Sequence, residues 1–414
     1  MKIASSFCIS PRKLYPILLV FLVIPAGVLR AEPGKIIDAK HVEVLAPVDI
    51  DHLVSELFED LTAPRALYKV DSYLLRFESN WLDGSTTPIS TQVFIPRYTQ
   101  RGKRPVYVFA PGTTGLIDAC RPSREHTAGI HWGLYRSHVL AHAGQGAIGV
   151  LPDHMGFGDP AHLQPYCIAV AEGRMMLDAI RAISSFLEQT GGAIVTDTAV
   201  FVAGFSNGGH AAFAAADLRS IYAPEVQIAG VIGYGPSTDM QALFREFPVV
   251  APMVVYIYSS IYGRDRFDPD RILLPRWAES LAKDITRQCV GGMQEYYPWS
   301  PRKLFRQDFA DALLGNRLAD AFPEIHRILL ENSTGLSGHR IPALILQGTD
   351  DVVVSVKSQE AFVRELCRTN CPVQYILYKG SRHDTRQIGF GKARQWMQRL
   401  VLGEKPEPNC EDLL

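Results

Sequence analysis

Short runs of β-branched and apolar residues alternate with amphipathic stretches along most of this chain. Runs of this length predict strands covered on both faces, and the amphipathic stretches predict helices that cross from one parallel strand to the next. The predicted buried strands are 106–110, 147–151, 199–203, 228–232, 343–346 and 373–378. The sequence therefore predicts an α/β fold with a mostly parallel sheet flanked by helices.

Two local patterns add detail to this sheet. Residues 68–81 and 87–95 predict an antiparallel pair, because Asp83-Gly84 between them is a turn signal. Apolar residues recur every three or four positions from Ala171 to Leu187, which predicts a crossover helix packed on the sheet.

The interval between the predicted strands at 228–232 and 343–346 is far longer than one helix and its loops require. We expect an inserted helical cap at 237–340, with helices at 275–285 and 302–314, between core segments 32–236 and 341–414. A cap over the strand ends would supply apolar walls for an acyl chain. The alternative is a structural subdomain that does not contact substrate.

Residues 1–31 are predicted to be a signal peptide. Basic residues, among them Arg12 and Lys13, precede the apolar run 14–29, and the small residue Ala31 follows. The alternative is an uncleaved signal anchor, although the run is short for a spanning helix. No later stretch is long enough to cross a bilayer, so we expect a secreted or periplasmic protein.

Removal of this segment leaves six of the seven cysteines in a chain bound for an oxidising compartment. Disulfides are then expected. Cys367 and Cys371 are the one pair that spacing suggests, because four residues at a helix end can bring two sulfurs together. The other four allow three pairings that the sequence does not rank, and they are Cys120, Cys167, Cys289 and Cys410.

A candidate nucleophile lies in Gly204-Phe205-Ser206-Asn207-Gly208, between a predicted strand and a helix of small residues. A serine on a tight strand-to-helix turn has an exposed hydroxyl, and flanking glycines let the turn close. The helix N-terminus behind it favours developing negative charge. Ser206 is therefore predicted to be a catalytic nucleophile.

A serine nucleophile requires a base and an acid, which follow it in chain order in this type of fold. The strand 343–346 ends in Asp350 and Asp351, and the strand 373–378 is followed by His383. Asp351 is preferred as the acid because of its position after the turn at Gly348, and Asp350 is the competing candidate. His383 is the predicted base, and His210 is expected only to pack or hydrogen-bond within its helix.

Acyl transfer also needs two backbone N–H groups that bind the developing oxyanion. Asn207, the residue after the nucleophile, is expected to supply one. The loop at 111–115, after the first parallel strand, is expected to supply the other from Thr113. The alternative for Thr113 is a place in an ordinary glycine-rich turn.

The overall charge is close to zero, with 42 basic and 43 acidic residues. This balance provides no basic surface for nucleic acid or for an anionic membrane. Small neutral or apolar substrates fit better. No Cys/His spacing resembles a zinc site, and we expect no metal or other cofactor.

Several of these motifs together resemble the secretory lipase family, the lipase-A-like branch of the α/β-hydrolases. The matching segments are 111–115, 120–123, 151–158, 174–181, 204–212 and 347–354. Two departures are Pro111, where a histidine commonly precedes the oxyanion glycine, and Asn207, where glutamine is common. The resemblance implies an α/β-hydrolase core with a helical lid inserted late in the sheet, and hydrolysis of esters of fatty or shorter acids.

Together these observations predict an exported lipase or esterase that uses Ser206, His383 and Asp351 on a small-molecule or lipid ester. The same triad cleaves amides, so a serine peptidase or amidase is the second hypothesis. A non-catalytic binding protein of the same fold is the third. Acyl-chain length, interfacial activation and oligomeric state are not predicted by the sequence.

Overall fold

A computed structural model describes residues 32–59, 61–125, 133–160, 162–190 and 195–412. The signal peptide predicted at 1–31 lies outside the described residues.

The described chain contains a nine-stranded sheet with the order β1-β2-β3-β5-β4-β6-β7-β8-β9. Strands β1, β2 and β3 pair antiparallel, and β3 also pairs antiparallel with β5. All pairs among β4 to β9 are parallel. The strands are β1 Ile36–Leu45, β2 Val70–Asn80, β3 Thr86–Pro96, β4 Gly102–Ala110, β5 Ile148–Pro152, β6 Val195–Phe205, β7 Ile228–Tyr234, β8 Ala343–Gly348 and β9 Val373–Tyr378. The predicted mostly parallel sheet is confirmed, and β1 is an additional edge strand that the sequence analysis did not predict.

Helices cover both faces of this sheet. In chain order they are α1 Pro47–Phe58, α2 Tyr135–Gly144, α3 Ala169–Gln189, α4 Asn207–Tyr222, α5 Met240–Glu246, α6 Ala251–Tyr262, α7 Pro269–Ile272, α8 Pro275–Ile285, α9 Val290–Tyr296, α10 Pro301–Leu304, α11 Gln307–Leu314, α12 Leu318–Ala321, α13 Pro323–Glu331, α14 Val356–Arg368 and α15 Arg386–Val401. Alternate residues of each central strand face opposite layers. Val106 and Val108 pack with α3 and α4, whereas Tyr107 and Phe109 pack with α1, α2 and α15.

The segment between β7 and β8 contains the described helices α5 to α13. The helix predicted at 275–285 is α8, but the single helix predicted at 302–314 is wrong. The chain leaves the helical path at Phe305, which is buried and forms an isolated antiparallel bridge with Leu273. Tertiary packing of this aromatic side chain thus divides the stretch into α10 and α11.

Within the described residues, no single helix combines the length and apolar character needed to span a bilayer. The bent pair Met240–Glu246 and Pro248–Tyr262, with 109° between its halves, passes that test on length and composition alone.

Two disulfides join Cys120 to Cys289 and Cys367 to Cys410. The pairing predicted for Cys367 and Cys371 is therefore wrong. Asn370, with φ 62°, turns the chain at the end of α14, so Cys371 points into the core and its thiol contacts the Ile341 carbonyl at 3.0 Å. Cys371 and Cys167 are buried free thiols.

Candidate active site

Ser206 lies in a tight turn between β6 and α4. Its backbone has φ 54° and ψ −116°, a strained conformation for a residue with a side chain. Glycines make the turn possible, because a Cβ on Gly204 would lie 1.9 Å from the Gly208 carbonyl oxygen. A Cβ on Gly208 would lie equally close to the carbonyl oxygen of Ala110, at the end of β4. The turn therefore presents the Ser206 side chain at the carboxyl edge of the parallel strands.

Asp351 and His383 meet on the loops that follow β8 and β9. The Asp351 Oδ2 atom lies 2.8 Å from Nδ1 of His383. The same carboxylate accepts hydrogen bonds from the backbone N–H groups of Val353 and Val354 and from the side-chain amide of Gln347. Burial alone would raise the pKa of Asp351, but the hydrogen bonds from His383 and from the backbone hold it below its usual value. The charged carboxylate is thus available to orient the imidazole.

Asp350, the competing candidate, points elsewhere. Its side chain is exposed and accepts a hydrogen bond from the Thr349 hydroxyl at 2.9 Å. Its backbone N–H donates to the Ser381 carbonyl. The geometry therefore pairs Asp351, and not Asp350, with His383.

Ser206 and His383 line the same cleft, which has a volume of about 470 Å³. The ring of Phe205 lies 4.8 Å from the ring of His383. The Ser206 hydroxyl contacts the Ser237 hydroxyl at 3.4 Å, and Nε2 of His383 has no hydrogen-bond partner among the described residues. The structure thus brings the predicted nucleophile and base into one site without a direct hydrogen bond between them.

Of the two predicted oxyanion donors, Thr113 lines this cleft and Asn207 directly follows Ser206. Asn207 is the first residue of α4, where backbone N–H groups lack helical partners. Thr113 lines the cleft, and its hydroxyl contacts the Tyr166 hydroxyl at 2.8 Å. The carbonyl oxygen of Pro111, two residues before Thr113, lies 3.0 Å from Nε2 of the buried His154, which anchors the loop. The proline at this position is thus accommodated in a well-supported loop.

The cleft has one wall from the sheet edge and one from the segment between β7 and β8. Its lining residues from that segment include Phe247 and, on or beside α9, Cys289, Val290, Gly291, Gly292 and Gln294. The Val290 N–H donates to the Thr114 carbonyl at 2.8 Å, so α9 is tied to the predicted oxyanion loop. No Lys, Arg, Asp or Glu is among the described residues that line the cleft.

His210 packs behind Ser206, but the hydrogen bonds of its ring reach other elements and not its own helix. It is fully buried, and its ring nitrogens lie 2.6 Å from the Glu172 carboxylate and 2.6 Å from the Asn332 carbonyl. Burial lowers the pKa of His210, but Glu172 outweighs it and raises the pKa above its usual value. His210 therefore joins α4 to α3 and to the end of α13 and does not reach the cleft.

The roles of Gln347 and Ser237 were not predicted from the sequence. Gln347 is the penultimate residue of β8 and also donates to the Val354 carbonyl, so it braces the loop that carries Asp351. Its place directly before Gly348 is a signal that could have indicated this role. Ser237 has no comparable signal, because only the path of the chain after β7 brings it to Ser206.

Among the described residues, no three His, Cys, Asp or Glu side chains are grouped so as to hold a metal ion.

Asp153, directly after β5, is a buried carboxyl whose side chain accepts a hydrogen bond from the Ser123 N–H. Burial outweighs the hydrogen bonds from Ser123 and the attraction of Arg121, and raises the pKa of Asp153 to about 7. The unfolded chain loses this proton near 3.8, so the folded state binds more protons between these values and loses stability as pH rises. Asp153→Asn is therefore expected to raise the free energy of unfolding at pH 8 by about 1–3 kcal/mol.

Urea denaturation at pH 5 and pH 8 measures this effect, with the exposed Asp350→Asn as the matched control. The gain should shrink as pH falls from about 7 toward 4, because the wild-type carboxyl is then protonated in the folded protein. A gain that is larger at pH 5 than at pH 8 would contradict the assignment.

The chain matches the family described as Secretory lipase over residues 126–407. A secreted triacylglycerol lipase of Malassezia globosa is 24% identical over 356 residues, covering 80% of this chain and 72% of that protein. A probable inactive lipase of Mycobacterium tuberculosis is 24% identical over 371 residues, covering 85% of this chain and 74% of that protein. The solved structure of a rice cell wall degrading esterase from Xanthomonas oryzae has a TM-score of 0.70 at 16% identity, over 90% of this chain and 97% of that one, which shows a shared α/β-hydrolase fold.

Proposed function

We propose that Ser206, His383 and Asp351 are the catalytic nucleophile, base and acid of this chain. The chain belongs to the secretory lipase family and is therefore an exported carboxylic ester hydrolase. The observation that carries this proposal is the 2.8 Å contact between Asp351 and His383, at the cleft that Ser206 also lines. One relative is named a probable inactive lipase. The catalytic roles are therefore proposed from the three side chains of the site, all of which are present here.

In the proposed reaction, the Ser206 hydroxyl gives its proton to Nε2 of His383 as its oxygen attacks the ester carbonyl. Asp351 accepts the hydrogen bond from Nδ1 and stabilises the imidazolium. The carbonyl oxygen becomes an oxyanion that the N–H groups of Asn207 and Thr113 bind. The alcohol leaves with the proton from His383, and water, deprotonated by the same histidine, releases the acid and restores the Ser206 hydroxyl.

The substrate is proposed to be a lipid ester or another neutral ester. A cleft of about 470 Å³ lies within the range of small-molecule sites, and its walls include Phe205, Phe247 and Val290. The segment 237–340 is proposed to act as the cap over this cleft, between core segments 32–236 and 341–414. Two disulfides support export, because such bonds persist in oxidising compartments.

A peptidase or amidase is the second candidate. Recognition of a peptide terminus requires a charge of opposite sign, and the described lining residues include none. Purified protein should therefore hydrolyse p-nitrophenyl acetate, butyrate and longer esters, and leave aminoacyl p-nitroanilides largely intact. A fluorophosphonate probe should label the peptide that contains Ser206. Preference for the anilides would favour the peptidase, and failure of both turnover and labelling would favour a binding protein.

The two neighbouring aspartates allow a matched test of the acid. Asp351→Asn is expected to lower kcat by about 10³- to 10⁴-fold, because an amide at this position does not stabilise the imidazolium. Asp350→Asn should leave kcat within about twofold, since that side chain is exposed and contacts Thr349. Steady-state assays of both variants on p-nitrophenyl butyrate measure the difference. Equal losses would exclude Asp351 as the specific partner of His383.

A further inference from the structure

The loop after β7 brings a second hydroxyl to the nucleophile. The Ser237 Oγ atom lies 3.4 Å from Ser206 Oγ, and the Ser237 N–H donates to the Ser206 carbonyl at 3.2 Å. Ser237 is 5% exposed. This hydroxyl is therefore held against the turn that carries the nucleophile, on the side away from solvent.

Contacts with neighbouring elements fix the position of this loop. The Gly235 N–H donates to the Leu346 carbonyl of β8 at 2.9 Å, and Gly235 has φ 50°. Pro236 packs so closely on Gly209 of α4 that a Cβ there would lie 2.5 Å from the proline ring. The loop also contacts the base, because a Cβ on Gly235 would lie 3.1 Å from Nδ1 of His383. Ser237 is thus placed by the same elements that place the triad.

Asp351, which contacts His383, determines which of the two serine hydroxyls donates in the contact between Ser237 and Ser206. An ionised carboxylate only accepts, so Asp351 requires the proton of His383 on Nδ1. Nε2 is then an acceptor, and in the reactive arrangement the Ser206 hydroxyl must donate to it. The oxygen of Ser206 is left with lone pairs only, so Ser237 must be the donor in their contact. A donor at this oxygen stabilises the negative charge that develops on Ser206 as its proton leaves.

A small cavity lies on the other side of Ser237. Its volume is about 10 Å³, and Ser237 and Gln359 of α14 are among the residues that line it. Gln359 is 1% exposed, and neither atom of its side-chain amide has a hydrogen-bond partner among the described residues. A buried amide without partners is costly, and a cavity of this size has room for one water molecule where polar side chains in its wall can bind it. A water here would accept a hydrogen bond from the side-chain N–H of Gln359 and donate one to Ser237 Oγ, which has lone pairs to accept it.

We propose that Ser237 is a positioning residue for the nucleophile, and that a water bound between Ser237 and Gln359 completes a directed chain that runs through Ser206 to His383 and Asp351. The inference rests on the proposed function of these three residues. The chain holds the Ser206 hydroxyl with its proton directed toward His383. It also supports the alkoxide as the bond to the acyl carbon forms.

Variants at position 237 test this proposal with two readouts. Ser237→Ala is expected to slow fluorophosphonate labelling of Ser206 by about tenfold and to lower kcat on p-nitrophenyl butyrate equally, with KM unchanged. Ser237→Thr keeps a hydroxyl donor at this position, so its rate should stay within about threefold of the parent rate. Gln359→Leu removes the anchor of the water and should reproduce part of the loss, by about threefold.

The matched control is Ser137→Ala, which removes another buried hydroxyl, bonded to the Leu53 carbonyl and not among the residues that line the cleft. Ser137→Ala should be labelled at the parent rate, although its thermal stability should be similar to that of Ser237→Ala. If Ser237→Ala labels at the parent rate, or loses rate only through KM, the positioning role is wrong even though Ser206→Ala abolishes labelling. If Ser206→Ala itself labels and turns over normally, the proposed function fails, and the role of Ser237 fails with it.

Discussion

Replacing Ser206 with alanine is expected to lower kcat on a p-nitrophenyl ester by about 10³-fold or more. The methyl group leaves no oxygen to form the acyl-enzyme, so the reaction loses its covalent route. Binding of the ester and the two oxyanion N–H groups remain, and these account for residual turnover. Steady-state assays, with circular dichroism to confirm folding, measure the effect.

The double variant Ser206→Ala/His383→Ala provides the internal control. If the two side chains act as a unit, the double variant should be no slower than the worse single variant. Multiplication of the two losses would indicate independent roles. Turnover by Ser206→Ala within about tenfold of the parent would refute the nucleophile assignment outright.

Loss of the Cys120–Cys289 disulfide is expected to have the largest effect on stability. This bond joins positions 169 residues apart, and removing it should cost about 2–5 kcal/mol of unfolding free energy. It also joins the region after the predicted oxyanion loop to the start of α9, where Val290 donates to Thr114. Cys120→Ser/Cys289→Ser should therefore lower kcat/KM as well as stability, because both walls of the cleft lose their covalent tie.

The Cys367–Cys410 disulfide is the matched control. Its cysteines are 43 residues apart and neither lines the cleft. Cys367→Ser/Cys410→Ser should cost about 1 kcal/mol less in urea denaturation, because a shorter loop restricts the unfolded chain less. Its kcat/KM should stay near that of the parent at temperatures where both are folded. Equal losses of activity in the two double variants would show that only general stability is involved.

The sequence was sufficient for the layout of the core, because buried parallel strands and their crossover helices have strong local patterns. The strand predicted at 373–378 has the bounds of β9, and the helix predicted from Ala171 begins two residues after the start of α3. The exposed edge strand β1 was missed, since it has few buried residues and no clear alternation. The helix predicted at 302–314 failed because burial of Phe305 overrode local periodicity.

Candidate site residues were predictable where the fold places them at strand ends. Ser206, Asp351 and His383 each follow a strand, and parallel strands bring their carboxyl ends to one edge. The preference for Asp351 over Asp350 agrees with the contact to His383. Their catalytic roles remain predictions that the variants above will decide.

The sequence by itself determined which side chains stand at the ends of the strands, because strand and turn patterns act over a few residues. Only the tertiary structure decided what surrounds them. Cys367 pairs with Cys410 because the chain terminus returns to α14, and Ser237 reaches Ser206 because the loop after β7 folds under the turn. Such contacts join residues far apart along the chain, and their geometry depends on packing that no local pattern encodes.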